Sequence, residues 1–165
     1  MPTPPDPTPE QRIVGCSLSN FLADRRRRIV TDWMSHVLAD KGVPVADELT
    51  IGQLKDHIPE ILEDLNLTLA DAFNEEIKDR AAWRAATHGN IRWQQRYDIS
   101  QLIREISDLR TVLIYHLAEF HDERTSDAGG RMGIFAMVVV HSFFDGLIRI
   151  SIEQFVAMSN LNKQS

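Results

Sequence analysis

The sequence predicts an all-α domain of five or six helices, and three observations predict it. Apolar residues recur at three- and four-residue steps from Ser17 almost to the end of the chain. No stretch alternates apolar and polar residues strictly, as a half-buried strand would. Gly42 with Pro44 and the glycine-rich "RTSDAGGRMG" break the periodic pattern between stretches. At 165 residues the chain has the size of one domain, large enough to bury a core without disulfides or metal.

The elements follow in order. Residues 1–16 carry five of the seven prolines within "MPTPPDPTPEQ" and read as a disordered, extended tail. The domain spans 17–160. In its first helix Leu18, Phe21, Leu22, Ile29, Val30, Trp33, Val37 and Leu38 share one side, and Gly42 and Pro44 end it. "DELTIGQLKDHIPEILEDLNLTLADAF" gives two helical pieces. Thr50 caps the first, and Pro59 fits the first turn of the second, where its missing N–H is not needed. Ile58, Ile61, Leu62, Leu65, Leu69 and Phe73 form the buried face of that second piece.

The next helix runs from about Glu75 to Arg96, with an expected packing seam of Trp83, Ala86, Asn90, Trp93 and Tyr97. Asp98 and Gln101 then have the spacing of a capping box. The helix they open carries Ile99, Leu102, Ile106, Leu109, Leu113, Leu117 and Phe120 on one face. The two helices are expected to form a tight antiparallel hairpin hinged near Asp98. "RTSDAGGRMG" breaks the chain, and the last helix is expected from about Arg131 to Asn160. It is apolar nearly all round, so it is either the central helix or one whose second face meets another subunit. Val140, Phe143, Leu147 and Ile150 are the candidate homodimer contacts. Residues 161–165 are expected to lead toward an output module.

Composition excludes some classes. The chain carries 24 acidic and 18 basic residues, a net charge of −6, which argues against nucleic acid as a partner. The first residues lack the basic and apolar regions of a secretory signal. His141, Ser142, Asp145 and Arg149 interrupt the apolar stretch from Gly133 to Ile150, so membrane insertion is not expected. The single cysteine, Cys16, has no partner for an internal disulfide, in keeping with a cytoplasmic setting.

Motifs for phosphate loops, nucleophile elbows, Cys-x-x-Cys pairs and His-Glu-x-x-His sites are absent, so no catalytic residues and no metal ligands are assigned and the segment is not expected to be an enzyme. No cofactor is expected; haem needs only one axial histidine, for which His88 and His141 are the candidates. His141 stands one turn before Asp145, the spacing of a satisfied core histidine or of a proton sensor. Asp24-Arg25-Arg26-Arg27-Arg28 reads as a solvated charge run, with at least one arginine near the apolar seam. Residues 86–110 concentrate the remaining polar candidates. A hinge near Asp98 sets Arg92 opposite residues 103–105, so an Arg92–Glu105 bond is expected, with His88 level with Asp108 and Arg110.

His88-Gly89, then Arg92 four residues after the histidine, then Tyr97-Asp98, then "LIREISDLR" resemble the N-terminal domain of RsbT co-antagonist proteins of the RsbRD type. That module also heads some bacterial sensor histidine kinases. The resemblance covers about residues 17–160, with "DHIPEILEDL" upstream, and rests on His88, Gly89, Arg92, Tyr97, Glu105, Leu109 and Arg110. Ile106 stands where the family commonly has an aromatic residue. The resemblance implies a sensory or regulatory input domain, not an enzyme, preceding a kinase or STAS-type output module. Related regulators carry a non-haem globin-like domain, which is the alternative to a plain bundle. Ligand or signalling candidates are His88, Arg92, Tyr97, Glu105, Arg110, His141 and Asp145; a haem- or small-ligand-binding globin-like sensor is the alternative function.

Overall fold

The computed structural model describes residues 8–122 and 129–163. Among them are six α-helices and one short 3₁₀ turn, with no strand: α1 (Pro9–Ala39), the 3₁₀ turn (Pro44–Glu48), α2 (Ile51–Lys55), α3 (Ile58–Ala70), α4 (Glu75–Gln94), α5 (Ile99–Asp122) and α6 (Gly129–Lys163). The protein is an all-α helical bundle.

α1 begins earlier than its prolines suggest. The Thr8 hydroxyl accepts from Gln11 N at 3.3 Å, and Gln11 Oε1 accepts from Thr8 N at 2.8 Å. Pro9 occupies the first turn, where no N–H donor is required, so the capping box and the proline together start a helix. The expected tail is therefore helical over 9–16, and its first seven residues lie outside the described part. Leu18, Phe21, Leu22, Ile29, Val30, Trp33 and Val37 are buried as expected, whereas Leu38 is 45% exposed. The arginine run fans around the helix. Arg25 lies 3.8 Å over the Phe21 ring, Arg26 meets Glu63, and Arg28 meets Asp32 and Glu119.

α2 opens on the expected cap, with Gln53 N donating to Thr50 Oγ1 at 3.2 Å and Gln53 Oε1 accepting from Thr50 N at 2.9 Å. α3 carries Pro59 in its first turn and buries Ile58, Ile61, Leu62, Leu65 and Leu69. α5 opens on Asp98, whose Oδ1 accepts from Gln101 N at 2.8 Å, and buries Leu102, Ile106, Leu109, Leu113 and Leu117. Ile99, expected in that seam, is 39% exposed.

Two expectations about α4 fail. Its buried residues are Ala85, His88, Gly89 and Arg92, while Trp83 is 63% exposed and Ala86, Asn90 and Trp93 are half-buried. The inward face is small and polar, so a search for apolar periodicity lands on the neighbouring face. Nor do α4 and α5 form a tight hairpin. Around the bundle the packing order is α1, α3, α4, α6, α5, and the backbones of α4 and α5 scarcely approach each other. α6 fills the space between them and also touches α1 and α3.

α6 runs 35 residues, and its Ala136, Val139, Val140, Phe144, Leu147, Ser151 and Phe155 face inward. Its window Ile134–Asn162 has a mean hydropathy of 1.6 and is long and apolar enough to cross a membrane by length and composition. About a third of that window is buried: α6 packs mainly on α4 and α5, touches α3 and α1, and leaves its remaining side outward.

A buried ion pair joins four helices

Local backbone geometry sets up the joint at the end of α4. Tyr97 N donates to Arg92 O and Arg96 N to Trp93 O, both at 3.0 Å. That pair of bonds is a Schellman ending, which wants a left-handed residue at the turn. Arg96 supplies it at φ 65°, although it is not glycine. The turn folds Tyr97 back over Arg92, whose Cζ lies 5.2 Å from the ring centroid.

Arg92 is fully buried, and its guanidinium is saturated. Nε reaches Glu105 Oε1 at 3.0 Å and Oε2 at 2.8 Å. Nη2 reaches Glu105 Oε1 and Leu54 O, each at 2.6 Å. Nη1 reaches Gln53 O at 3.0 Å and Gln95 Oε1 at 2.6 Å. Gln53 and Leu54 belong to the last turn of α2, whose carbonyls have no partner within so short a helix. One cation thus pairs with α5 and caps α2, as a positive charge at a helix C-terminus should. Trp33 Nε1 donates to Glu105 O at 3.2 Å and brings α1 into the same joint.

The electrostatics follow from burial. Burial raises the Glu105 pKa against the opposing pull of the Arg92 charge and its hydrogen bonds. Burial works against the Arg92 cation, but Glu105 outweighs it and the pKa rises. Burial and then Glu105 raise the Tyr97 hydroxyl, which lies by the carboxylate without making a well-formed hydrogen bond. His88 is fully buried, and neither ring nitrogen has a hydrogen-bond partner; its Nε2 stands 3.9 Å from Glu105 Oε1. Burial, then the Arg92 charge, then His57 hold its pKa well below the usual histidine value. The joint therefore contains a neutral imidazole beside an ion pair.

Beside His88, Gly89 packs on α6. A Cβ at this position would collide with the Ser151 carbonyl oxygen, so only glycine admits this approach. Ser151 Oγ also donates to Ala85 O at 2.9 Å. The joint is thereby in direct contact with α6.

The structure brings together His88, Arg92, Tyr97 and Glu105 but separates the other candidates. Asp108 meets His36 at 3.3 Å rather than lying level with His88. Arg110 faces Asp145 at 3.6 Å, on the far side of α5 from the ion pair. His141 is exposed, not a core histidine, and Asp145 is 74% exposed in its side chain. Both sit on the outward side of α6 because the inward side is filled by Val140 and Phe144. Of the candidate dimer contacts, Val140 and Leu147 are 0% and 5% exposed within a single chain and so are closed to a partner, while Phe143 and Ile150 are half-buried.

A second cluster escaped the sequence reading. Asp64 on α3 is fully buried and accepts from Arg80 Nε at 2.7 Å and Arg84 Nε at 2.6 Å. A carboxylate among Ile61, Leu65 and Leu62 on the apolar face of α3 was the available signal. Asp64 and Arg84 line a groove of about 870 Å³ between α1, α3, α4 and α6, together with Phe73, Phe135 and Phe143. His116, also missed, is buried and reaches Asp32 at 3.0 Å.

Chemically, the joint can hold helices in register. Among the described residues no group of three or more His, Cys, Asp or Glu is placed to hold a metal ion. The groove lining contains no histidine, so neither His88 nor His141 is placed to ligate a haem there. No family model, no curated protein and no solved structure matches this chain.

Proposed function

We propose that this chain is the sensory or regulatory input domain of a bacterial signalling protein, cytoplasmic and dimeric, acting through α6 on a kinase or STAS-type output module. The observation that carries this reading is the Arg92–Glu105 joint, which ties α1, α2, α4 and α5 together and touches α6 through Gly89 and Ser151. Of the seven residues that carry the resemblance to the RsbRD-type module, His88, Gly89, Arg92, Tyr97 and Glu105 lie at this joint, while Arg110 pairs with Asp145 instead. A signal would act by favouring one of two packings at the joint, and it can do so only if it binds them unequally. Relaxation-dispersion NMR tests the idea. Microsecond-to-millisecond exchange is expected at Gly89 and Ser151, altered by Glu105→Gln; a single rigid state at both positions contradicts it.

A second reading, a small-ligand sensor, is favoured by the groove. Its volume is in the range of ligand pockets, and Phe143, Gly146 and Ile150 of α6 line it. An occupant would then bear on α6 directly. Native mass spectrometry of the purified protein is expected to detect a bound small molecule on this reading. Only the bare chain mass, before and after mild desalting, contradicts it.

A further inference from the structure

Packed interiors leave few voids larger than a water molecule, so a groove of about 870 Å³ needs a reason. Small residues supply it. Ala81, Ala82 and Ala85 line the groove from α4 and Gly146 from α6, and a Cβ added at Gly146 would meet nothing within 4 Å. Phe73, Phe135 and Phe143 bring aromatic surface to the same space, and each is only half-buried. The chain thus leaves apolar surface open around a gap that a hydrocarbon body of ligand size fills.

Charge decides which body. Asp64 takes one guanidinium on each oxygen, Arg80 Nε on Oδ1 at 2.7 Å and Arg84 Nε on Oδ2 at 2.6 Å. Two cations against one carboxylate leave one positive charge over. Arg84 lines the groove with its side chain 16% exposed, and only its Nε is committed; its two Nη groups make no hydrogen bond among the described residues. The other charges of the lining are matched or screened. Lys78 pairs with Glu75 at 2.7 Å and Arg149 with Glu153 at 3.1 Å, while Asp79 is exposed to water. The free end of a guanidinium is a planar fork of donors, which suits the two oxygens of a carboxylate. A phosphate dianion would bring one charge more than the cluster offers, next to the Asp64 carboxylate.

We propose that the groove binds an aromatic monocarboxylate, its carboxylate on Arg84 and its ring system between the alanines of α4 and Gly146 of α6. This rests on the small-ligand reading above and names the ligand class. Ala85 lines the groove, and its carbonyl accepts from Ser151 Oγ at 2.9 Å. The occupant therefore touches both helices beside the contact through which the Arg92–Glu105 joint meets α6.

The test is fluorescence titration with pyrenebutanoate and with its uncharged amide, pyrenebutanamide, on the unaltered chain, Arg84→Gln and Gly146→Leu. Circular dichroism checks that each is folded. The flexible arm of the probe lets the carboxylate reach Arg84 while the rings stay among the phenylalanines. The unaltered chain should bind the acid at least about tenfold more tightly than the amide, since only the acid makes charge-assisted bonds. Arg84→Gln should bind the two alike, a loss of preference that a merely structural role for Arg84 would not produce. Gly146→Leu, whose new side chain enters open space, should stay folded and bind neither. Acid and amide bound equally by the unaltered chain, with both lost in Gly146→Leu, overturn the carboxylate assignment and leave the small-ligand reading standing. Binding that persists in Gly146→Leu, or an acid preference that persists in Arg84→Gln, overturns the site. An unaltered chain that binds neither probe overturns the proposal; the small-ligand reading falls with it only where native mass spectrometry also gives the bare chain mass. Should Arg84→Gln fail to fold, the acid–amide ratio of the unaltered chain and the loss in Gly146→Leu decide the matter.

Discussion

Arg92 and Glu105 are both fully buried, and neither has water to fall back on. Arg92→Lys keeps the charge but cannot span Glu105, Gln53 O, Leu54 O and Gln95 together. Chemical denaturation should show a loss of about 3–5 kcal/mol, the usual cost of breaking one side of a buried pair. Replacing both partners, as Arg92→Met with Glu105→Leu, should recover most of that loss; a double variant as unstable as the single one contradicts this account of the joint. Arg96 holds a left-handed backbone that costs a non-glycine residue about 1–2 kcal/mol, so Arg96→Gly should raise stability by up to about 1 kcal/mol.

His88 makes the fold sensitive to acid. Its folded pKa is depressed, first by burial and then by Arg92, while the unfolded chain protonates near the ordinary value of about 6.5. Below that pH the unfolded state binds the extra proton, so stability is full above about pH 6.5 and is lost as pH falls toward the folded pKa. The raised pKa of Glu105 acts with the opposite sign, because the folded state takes its proton more readily than the unfolded one. His88→Leu removes the histidine contribution and two unpartnered nitrogens. Its melting temperature should fall less between pH 7 and pH 5 than that of the unaltered chain; parallel slopes would show that His88 does not set the acid response.

At the scale of elements, the carrier of the joint's influence is the α4–α6 contact. Gly89→Ala would push a methyl group into the Ser151 carbonyl, and overpacking of this kind typically costs about 1–3 kcal/mol. Unaltered stability in that variant would mean that α6 can slide freely past α4. Legibility in the sequence also differed by element. α3 and α5 turn one apolar face to the core, so Leu65, Leu69, Leu102 and Leu109 could be found by spacing alone. α4 turns Ala85, His88, Gly89 and Arg92 inward, and nothing in apolar periodicity marks such a face. α1 hid its start because prolines suggest a tail, whereas Thr8 and Gln11 form a capping box around Pro9.

For the whole molecule, the candidate site was half legible. The Arg92–Glu105 bond followed from chain distance around the Asp98 turn, and the structure forms it. Its reach to α2 was not legible, since Gln53 O and Leu54 O are backbone groups nearly forty residues away in sequence. Asp64 with Arg80 and Arg84, and the groove above them, depend on how α3, α4 and α6 meet, which no local pattern states. The outward position of His141 and Asp145 likewise depends on which side of an almost uniformly apolar α6 the other helices cover.

The central claim is that the α4–α5 joint and α6 form one mechanical unit. Hydrogen exchange measured by mass spectrometry on the unaltered chain and on Glu105→Gln tests it most directly. Faster exchange is predicted in α2, whose anchor Arg92 loses the carboxylate that holds it in place, and also along α6 around Ser151. Loosening confined to α2 and α5, with α6 exchanging as before, would contradict the claim.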